Sequence, residues 1–311
     1  MNIFMKVLKF LSQRVFIFYL MVLLLLCVVV DREKFFGHAR AATLSRFSPS
    51  FEDLSDVLEK HQKLTPKQLR EYTEYYERVI EYTPQNAESY ALLGVFYYHS
   101  GKYKKSIALF IKSIKLNPRI FWFYYNLGRI YFEKGDYSQA AAVFQKALMT
   151  NPSDTVNLIS SSKIYLPIFA AQLKDLNSEE MEKKIGDKLQ RGYQQCLRLL
   201  VSSYYHMGDY YQALQYVKQA LAISFYDPQV FYYGGRAAYE LKDYEKAIFF
   251  FQECLKEGME KADVYYYLGL SLKELGRQTL AQGAIDQAQL LRAQGSSEEA
   301  VQEELPELAI F

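Results

Sequence analysis

Proline, glycine and cysteine are scarce in this chain: 8, 15 and 3 among 311 residues. So few helix breakers and turn formers argue against a low-complexity chain or a turn-rich β protein. Cys27, Cys196 and Cys254 stand far apart with no C-x-x-C spacing. Neither a disulfide framework nor a cysteine zinc site is indicated. Blocks of like charge are also missing, since only 23% of residues are charged, the net charge is +2 and the two signs are mixed. No field suited to nucleic acid is present, and no nucleic-acid partner is expected. The histidines, His38, His61, His99 and His206, form no metal-binding helical pair. Walker, G-x-S-x-G, H-E-x-x-H and dinucleotide fingerprints are lacking as well. Without a nucleophile–base pairing, the reading is a non-enzyme with no catalytic residues, cofactor, metal or small-molecule substrate.

What is abundant is apolar and aromatic, at 50% and 16% of the chain, with 28 tyrosines. The longest apolar run is VFIFYLMVLLLLCVVV, residues 15–30, preceded by Lys6, Lys9 and Arg14 and followed by Asp31, Arg32, Glu33 and Lys34. Sixteen helical residues cover about 24 Å. Phe10 and Leu11 add an apolar turn and Arg14 can snorkel, so a single transmembrane span is physically adequate. A cleaved signal peptide is the rival, because Lys6, Lys9 and Arg14 form a basic n-region and Ala39-Arg40-Ala41 has the A-x-A shape. That site lies behind four charges and away from the apolar run, which favours an uncleaved anchor. A short basic tail before a first span usually stays in the cytoplasm. The expectation is a single-pass protein, of the bacterial inner-membrane kind, with its remaining domain periplasmic. The opposite orientation and the cleaved signal stay open.

A 34-residue period then dominates. Leu93-Gly94 align with Leu127-Gly128, Tyr97 with Tyr131, Gly101 with Gly135, Tyr103 with Tyr137, Phe110 with Phe144 and Pro118 with Pro152. Further along, Tyr210 aligns with Tyr244, Ala213 with Ala247 and Ala281, and Val201 with Gly235 and Gly269. Between Tyr137 and Tyr210 the step is 73, two periods and five residues. Within a unit, large residues recur every three or four positions on two successive segments, such as Tyr124, Leu127 and Tyr131, then Ala140, Phe144 and Ala147. Two amphipathic helices are predicted per unit, with Gly128 and Ala140 allowing close approach and a turn at Lys134-Gly135-Asp136. The prolines at 118 and 152 stop the second helix.

These residues resemble the tetratricopeptide-repeat family, whose unit reads W-x2-L-G-x2-Y, then A-x3-F, then P. Residues 121–154 match through Tyr124, Leu127, Gly128, Tyr131, Ala140, Phe144, Ala147 and Pro152. The resemblance implies an all-α, right-handed superhelix of antiparallel helix pairs, here with an N-terminal transmembrane helix. The organisation read from the chain starts with a basic tail at 1–14, the anchor at 15–30 and a linker at 31–49. A degenerate helix pair at 50–86 precedes repeats at 87–120 and 121–154, and a degenerate repeat with an insertion occupies 155–193. Repeats at 194–227, 228–261 and 262–295 follow, then an acidic tail at 296–311 whose apolar end is either loose or docked on the last pair. Asn177-Ser178-Glu179-Glu180 is a good helix start, and one unusually long helix is predicted from there to about Met207.

In proteins the chain resembles, the concave wall is formed by the second, fifth, ninth and twelfth residues of each unit. Carried over, this places Trp122, Tyr125, Arg129, Phe132, Tyr205, Tyr232, Arg236, Tyr239 and Tyr266 along a partner-binding groove. Aromatic faces with interspersed arginine suit a peptide bearing apolar and acidic groups. The family's clamp for chaperone tails would need Lys, Asn and Arg where this chain has Ala91, Val95, Asn126, Val156 and Ser160. Only Asn126 agrees, so that ligand is not expected. The functional expectation is a membrane-anchored scaffold or adaptor that binds another protein or peptide. The alternative is a structural subunit of a larger envelope or secretion assembly.

Overall fold

The computed structural model describes residues 64–162, 176–294 and Leu308. The expected anchor, the linker, the first helix of the 50–86 pair and all of the acidic tail except Leu308 lie outside the described residues. Among the described residues no helix is long and apolar enough to cross a membrane.

Twelve helices and no strand are present among the described residues. In chain order they are α1 (Pro66–Tyr82), α2 (Ala87–His99), α3 (Tyr103–Leu116), α4 (Phe121–Glu133), α5 (Tyr137–Leu148) and α6 (Pro152–Ser161). There follow α7 (Ser178–His206), α8 (Tyr210–Ala222), α9 (Pro228–Glu240), α10 (Tyr244–Lys256), α11 (Ala262–Glu274) and α12 (Gln278–Ala293). Capping chemistry sets many of the starts. Asp136, Asp209 and Asp243 each accept the backbone N–H three residues on, opening α5, α8 and α10. Pro152 and Pro228 occupy the first turn of α6 and α9, where a missing N–H costs nothing. Asn177 and Glu180 form a reciprocal capping box that starts the 29-residue α7.

In three pairs, α2 with α3, α4 with α5 and α9 with α10, a glycine on the first helix admits a phenylalanine ring from the second. A Cβ on Gly128 would lie 2.7 Å from the Phe144 ring, and one on Gly235 would lie 2.7 Å from that of Phe251. The turn between paired helices repeats as well. Gly101, Gly135, Gly208 and Gly276 all take positive φ, and Lys242 takes the equivalent place with φ 62°.

First helices meet first helices, α4 with α7, α7 with α9 and α9 with α11, whereas the second helices make no comparable contact with one another. The first helices therefore form the inner, concave layer of the array and α3, α5, α8, α10 and α12 the outer one. All the pairs share one hydrophobic core, which Leu308 of the acidic tail also enters.

Residues 163–175 of the expected degenerate repeat lie outside the described residues. Helix α7 packs directly on α5, in the place of the next first helix, while α6 packs on α4 and α7. Among the described residues, α6 is thus a detour from the stack, lying across first helices. Thr155 Oγ1 accepts the Phe121 N–H at 3.0 Å, and Ser162 donates to the Glu88 carboxylate at the start of α2. Only Thr155 and Ile159 of α6 are buried, too few for a helix that must join a stack.

Candidate functional site

The inner wall is built around two arginines at matching places in their repeats, each four residues after a tyrosine on the same helix: Tyr125 and Arg129 on α4, Tyr232 and Arg236 on α9. Their surroundings differ.

Arg129 is buried at 4% exposure. Its Nη2 donates to the Tyr98 hydroxyl at 3.0 Å and stands 3.6 Å from Glu133 Oε2. Tyr98 in turn donates to Glu133 Oε2 at 2.5 Å. Burial first, and the Glu133 hydrogen bond next, push the Tyr98 hydroxyl up to about 12. The positive charge thus has its own carboxylate. Tyr125, also buried, donates to Gln195 Oε1 at 2.8 Å across to α7, and Trp122 lies against Gly192 of α7. Phe132 is buried edge-on against Tyr137.

Trp122, Tyr125, Arg129 and Phe132, expected to line an open groove, therefore lie in the interior. The physical reason for Trp122 and Tyr125 is the detour, which brings Gly192, Tyr193 and Gln195 of α7 onto α4; Tyr193 stacks on Phe121 at 4.4 Å. For Arg129 it is the closed contact with Tyr98 and Glu133.

The second station is more open. Arg236, Tyr205, Tyr239 and Tyr266 are half-buried, while Tyr232 is buried. The Arg236 guanidinium carbon lies 3.8 Å from the Tyr267 ring centre, 5.2 Å from that of Tyr205 and 5.7 Å from that of Tyr232. Its Nη1 donates to the Tyr232 hydroxyl at 2.8 Å. Nε is buried and has no hydrogen-bond partner, and among the described residues no carboxylate comes within ion-pair distance. Burial works against this charge, but the three tyrosines together outweigh it and the Arg236 pKa is raised. Burial pushes the Tyr205 hydroxyl up to about 12, and that of Tyr232 higher. The tyrosines are therefore neutral dipoles at physiological pH, able to donate to an anion.

Tyr239 meets Tyr267 edge-on at 5.6 Å, so α7, α9 and α11 share one aromatic surface around the guanidinium. Tyr266 turns away from that box: Arg292 of α12 lies over its ring at 5.1 Å and pairs with Asp263 at 3.2 Å. The ring that covers Arg236 is its neighbour Tyr267, which the repeat register did not single out. Tyr98, Glu133 and Gln195 were missed too; a search for charge partners one helical turn away would have raised Glu133.

His206, at the end of α7, stacks on Tyr137 at 4.5 Å and meets Tyr233 at 5.6 Å. Cys196 and Cys254 are buried free thiols whose pKa values burial raises. Among the described residues no group of His, Cys, Asp or Glu is arranged to hold a metal.

With this geometry in view, the comparisons agree on the class of fold. Tetratricopeptide-repeat family models match residues 75–108, 96–133, 121–154 and 198–262. The described helices form a tetratricopeptide-repeat array. Among solved structures the chain is similar to YrrB, a TPR protein with an unusual peptide-binding site, at 16% identity and a TM-score of 0.52, over 71% of this chain and 94% of that one. It is also similar to Pseudomonas aeruginosa PilF, at 15% identity and a TM-score of 0.51, over 83% and 95% of the two chains. A third neighbour is PilW, a type IV pilus biogenesis factor, at 15% identity and a TM-score of 0.50, over 80% and 94%. Likeness at such identity is likeness of fold. No curated protein matches the sequence.

Proposed function

We propose that this protein is a membrane-anchored scaffold, held by residues 15–30, whose inner wall binds a segment of another protein. The observation that carries the reading is Arg236: a guanidinium framed by Tyr205, Tyr232 and Tyr267 with no carboxylate of its own among the described residues. Arg129, by contrast, is neutralised by Glu133. A half-buried cation on an aromatic surface suits a peptide that brings an acidic group and an apolar side chain. The peptide-binding site of YrrB, on the same fold, is consistent with such a role. The partner surface is thus Tyr205, Arg236, Tyr239 and Tyr267, with Tyr266 at its edge, rather than the whole expected groove. The sixteen apolar residues at 15–30 support the anchor, and the basic tail before them supports a periplasmic array.

Two measurements test the reading. Alkali-washed membranes should retain the full chain with residues 1–30 intact; a mature N-terminus at Ala42 would replace the anchor by a cleaved signal. A photoreactive residue at Tyr239 should trap a defined protein in intact cells, while one at Phe249, exposed on α10, should not. Identical adducts from both positions, or none from Tyr239, would remove the inner wall as the partner site.

A further inference from the structure

Residues 295–311 read GSSEEAVQEELPELAIF, with glutamates at 298, 299, 303, 304 and 307 and no basic residue after Arg292. Leu308 is only 4% exposed and belongs to the same hydrophobic core as the helices. Leu308 therefore packs against the array and does not stand in solvent. The inner wall offers what such a segment needs. Arg236 on α9 sits in an aromatic surface shared by α7, α9 and α11 and lacks a carboxylate among the described residues.

Reach is no obstacle: the stretch from Gln294 to Leu308 spans up to about 45 Å when extended. Packed helix axes are about 10 Å apart, so it can return from α12 across α11 to α9 and α7.

We propose that the inner wall around Arg236 is a docking site for an extended acidic peptide with an apolar anchor, and that residues 295–311 of this chain occupy it in cis with Leu308 as the anchor. A glutamate carboxylate accepts from the Arg236 guanidinium and the tyrosine hydroxyls, while the leucine fills the apolar part of the wall. The inference rests on the scaffold reading: a partner segment takes the same wall and must displace the tail.

The first test places a photoreactive residue at Ile310 in the full chain and maps the adducts by mass spectrometry. Intramolecular adducts on α7, α9 or α11 are expected. Adducts on α8, α10 or α12 alone, or only between chains, would overturn the proposal. The second uses a labelled peptide of residues 296–311. The full chain carrying Leu308→Asp should bind it at least tenfold more tightly than the unaltered chain, because its own segment no longer holds the wall. Adding Arg236→Gln should reverse that gain. Equal binding by the Leu308→Asp and unaltered chains would overturn cis occupancy. The mapped adducts stand as an independent readout should Leu308→Asp disturb folding. If the peptide results hold but Tyr239 traps no protein even in the Leu308→Asp chain, the scaffold reading falls and the cis contact stands. If trapping is the same with and without Leu308→Asp, the competition is wrong while the scaffold survives.

Discussion

Gly192 of α7 lies against the indole of Trp122 on α4: a Cβ in place of its hydrogen would stand 2.4 Å from Trp122 Cη2 and 2.8 Å from Phe121 Cε1. Among the described residues no second glycine meets so close a side chain. The contact is made where α7 crosses onto the repeat ahead of it, so it clamps the detour to the array.

Gly192→Ala should therefore destabilise the protein by about 1–3 kcal/mol, the usual cost of overpacking. Trp122 is the sole tryptophan, so the loss can be followed by fluorescence. A denaturant melt should shift to lower midpoint, and the native emission should move to longer wavelength as the indole is pushed out. An unchanged midpoint and spectrum would mean that α7 does not sit on α4 in this way.

A second prediction concerns the turn at Lys242. Four of the five equivalent turns carry glycine with positive φ, while Lys242 adopts φ 62° with a side chain attached. Its turn still closes as the others do, with Lys242 N–H donating to the Tyr239 carbonyl at 2.9 Å and Asp243 N–H to that of Ala238 at 2.9 Å. Left-handed geometry costs a non-glycine residue about 1 kcal/mol, partly offset by the greater chain entropy of glycine. Lys242→Gly should thus raise the melting temperature modestly, and Gly135→Ala should lower it. The two substitutions moving together would contradict the shared turn geometry.

Such regularities explain how much was readable in advance. Gly128 over Phe144 and the turn at Gly135 follow from local chemistry repeated every 34 residues, so the period exposes them. The fate of Trp122 was not readable, because it depends on Gly192 and Tyr193, which arrive through a segment without the repeat's signature. Only packing shows that α7 lies on α5 and leaves α6 aside. For Arg129 the register suggested a groove, while Glu133, which neutralises it, stands four residues on along α4 and Tyr98, which accepts its hydrogen bond, lies on α2.

His206 gives a pH prediction. Burial, with the Arg236 charge second, lowers its pKa from the ordinary 6.5. Below about pH 6.5 the unfolded chain takes a proton that the folded chain resists. Stability is therefore lost as pH falls through that value toward the lower folded pKa, and none is lost through this group at higher pH. Glu88, whose pKa burial raises, acts in the opposite sense. His206→Phe keeps a ring against Tyr137 and leaves Glu88 in place. Its melting temperature should fall less than that of the unaltered chain between about pH 7.5 and about pH 5.5. Parallel curves for the two proteins would show that His206 titrates normally.

The two arginines supply the sharpest contrast. Arg129→Ala removes a buried guanidinium and leaves Glu133 and Tyr98 without their charged partner. Loss of a charge-assisted buried contact costs about 2 kcal/mol, so this variant should melt early. Arg236→Ala is different, because no carboxylate among the described residues is left behind and the tyrosines keep their contacts with one another. What it forfeits is cation–π attraction, about 1 kcal/mol for a half-buried pair, together with its hydrogen bond to Tyr232. Binding should reverse the order. Trapping from Tyr239 should fall at least severalfold with Arg236→Ala, and should persist with Arg129→Ala at temperatures where that variant is still folded. Thermal melts and trapping yields on the same two variants decide the matter. Should Arg236→Ala melt as early as Arg129→Ala and retain its partner, Arg236 is a structural residue and the scaffold's contact lies elsewhere on the array.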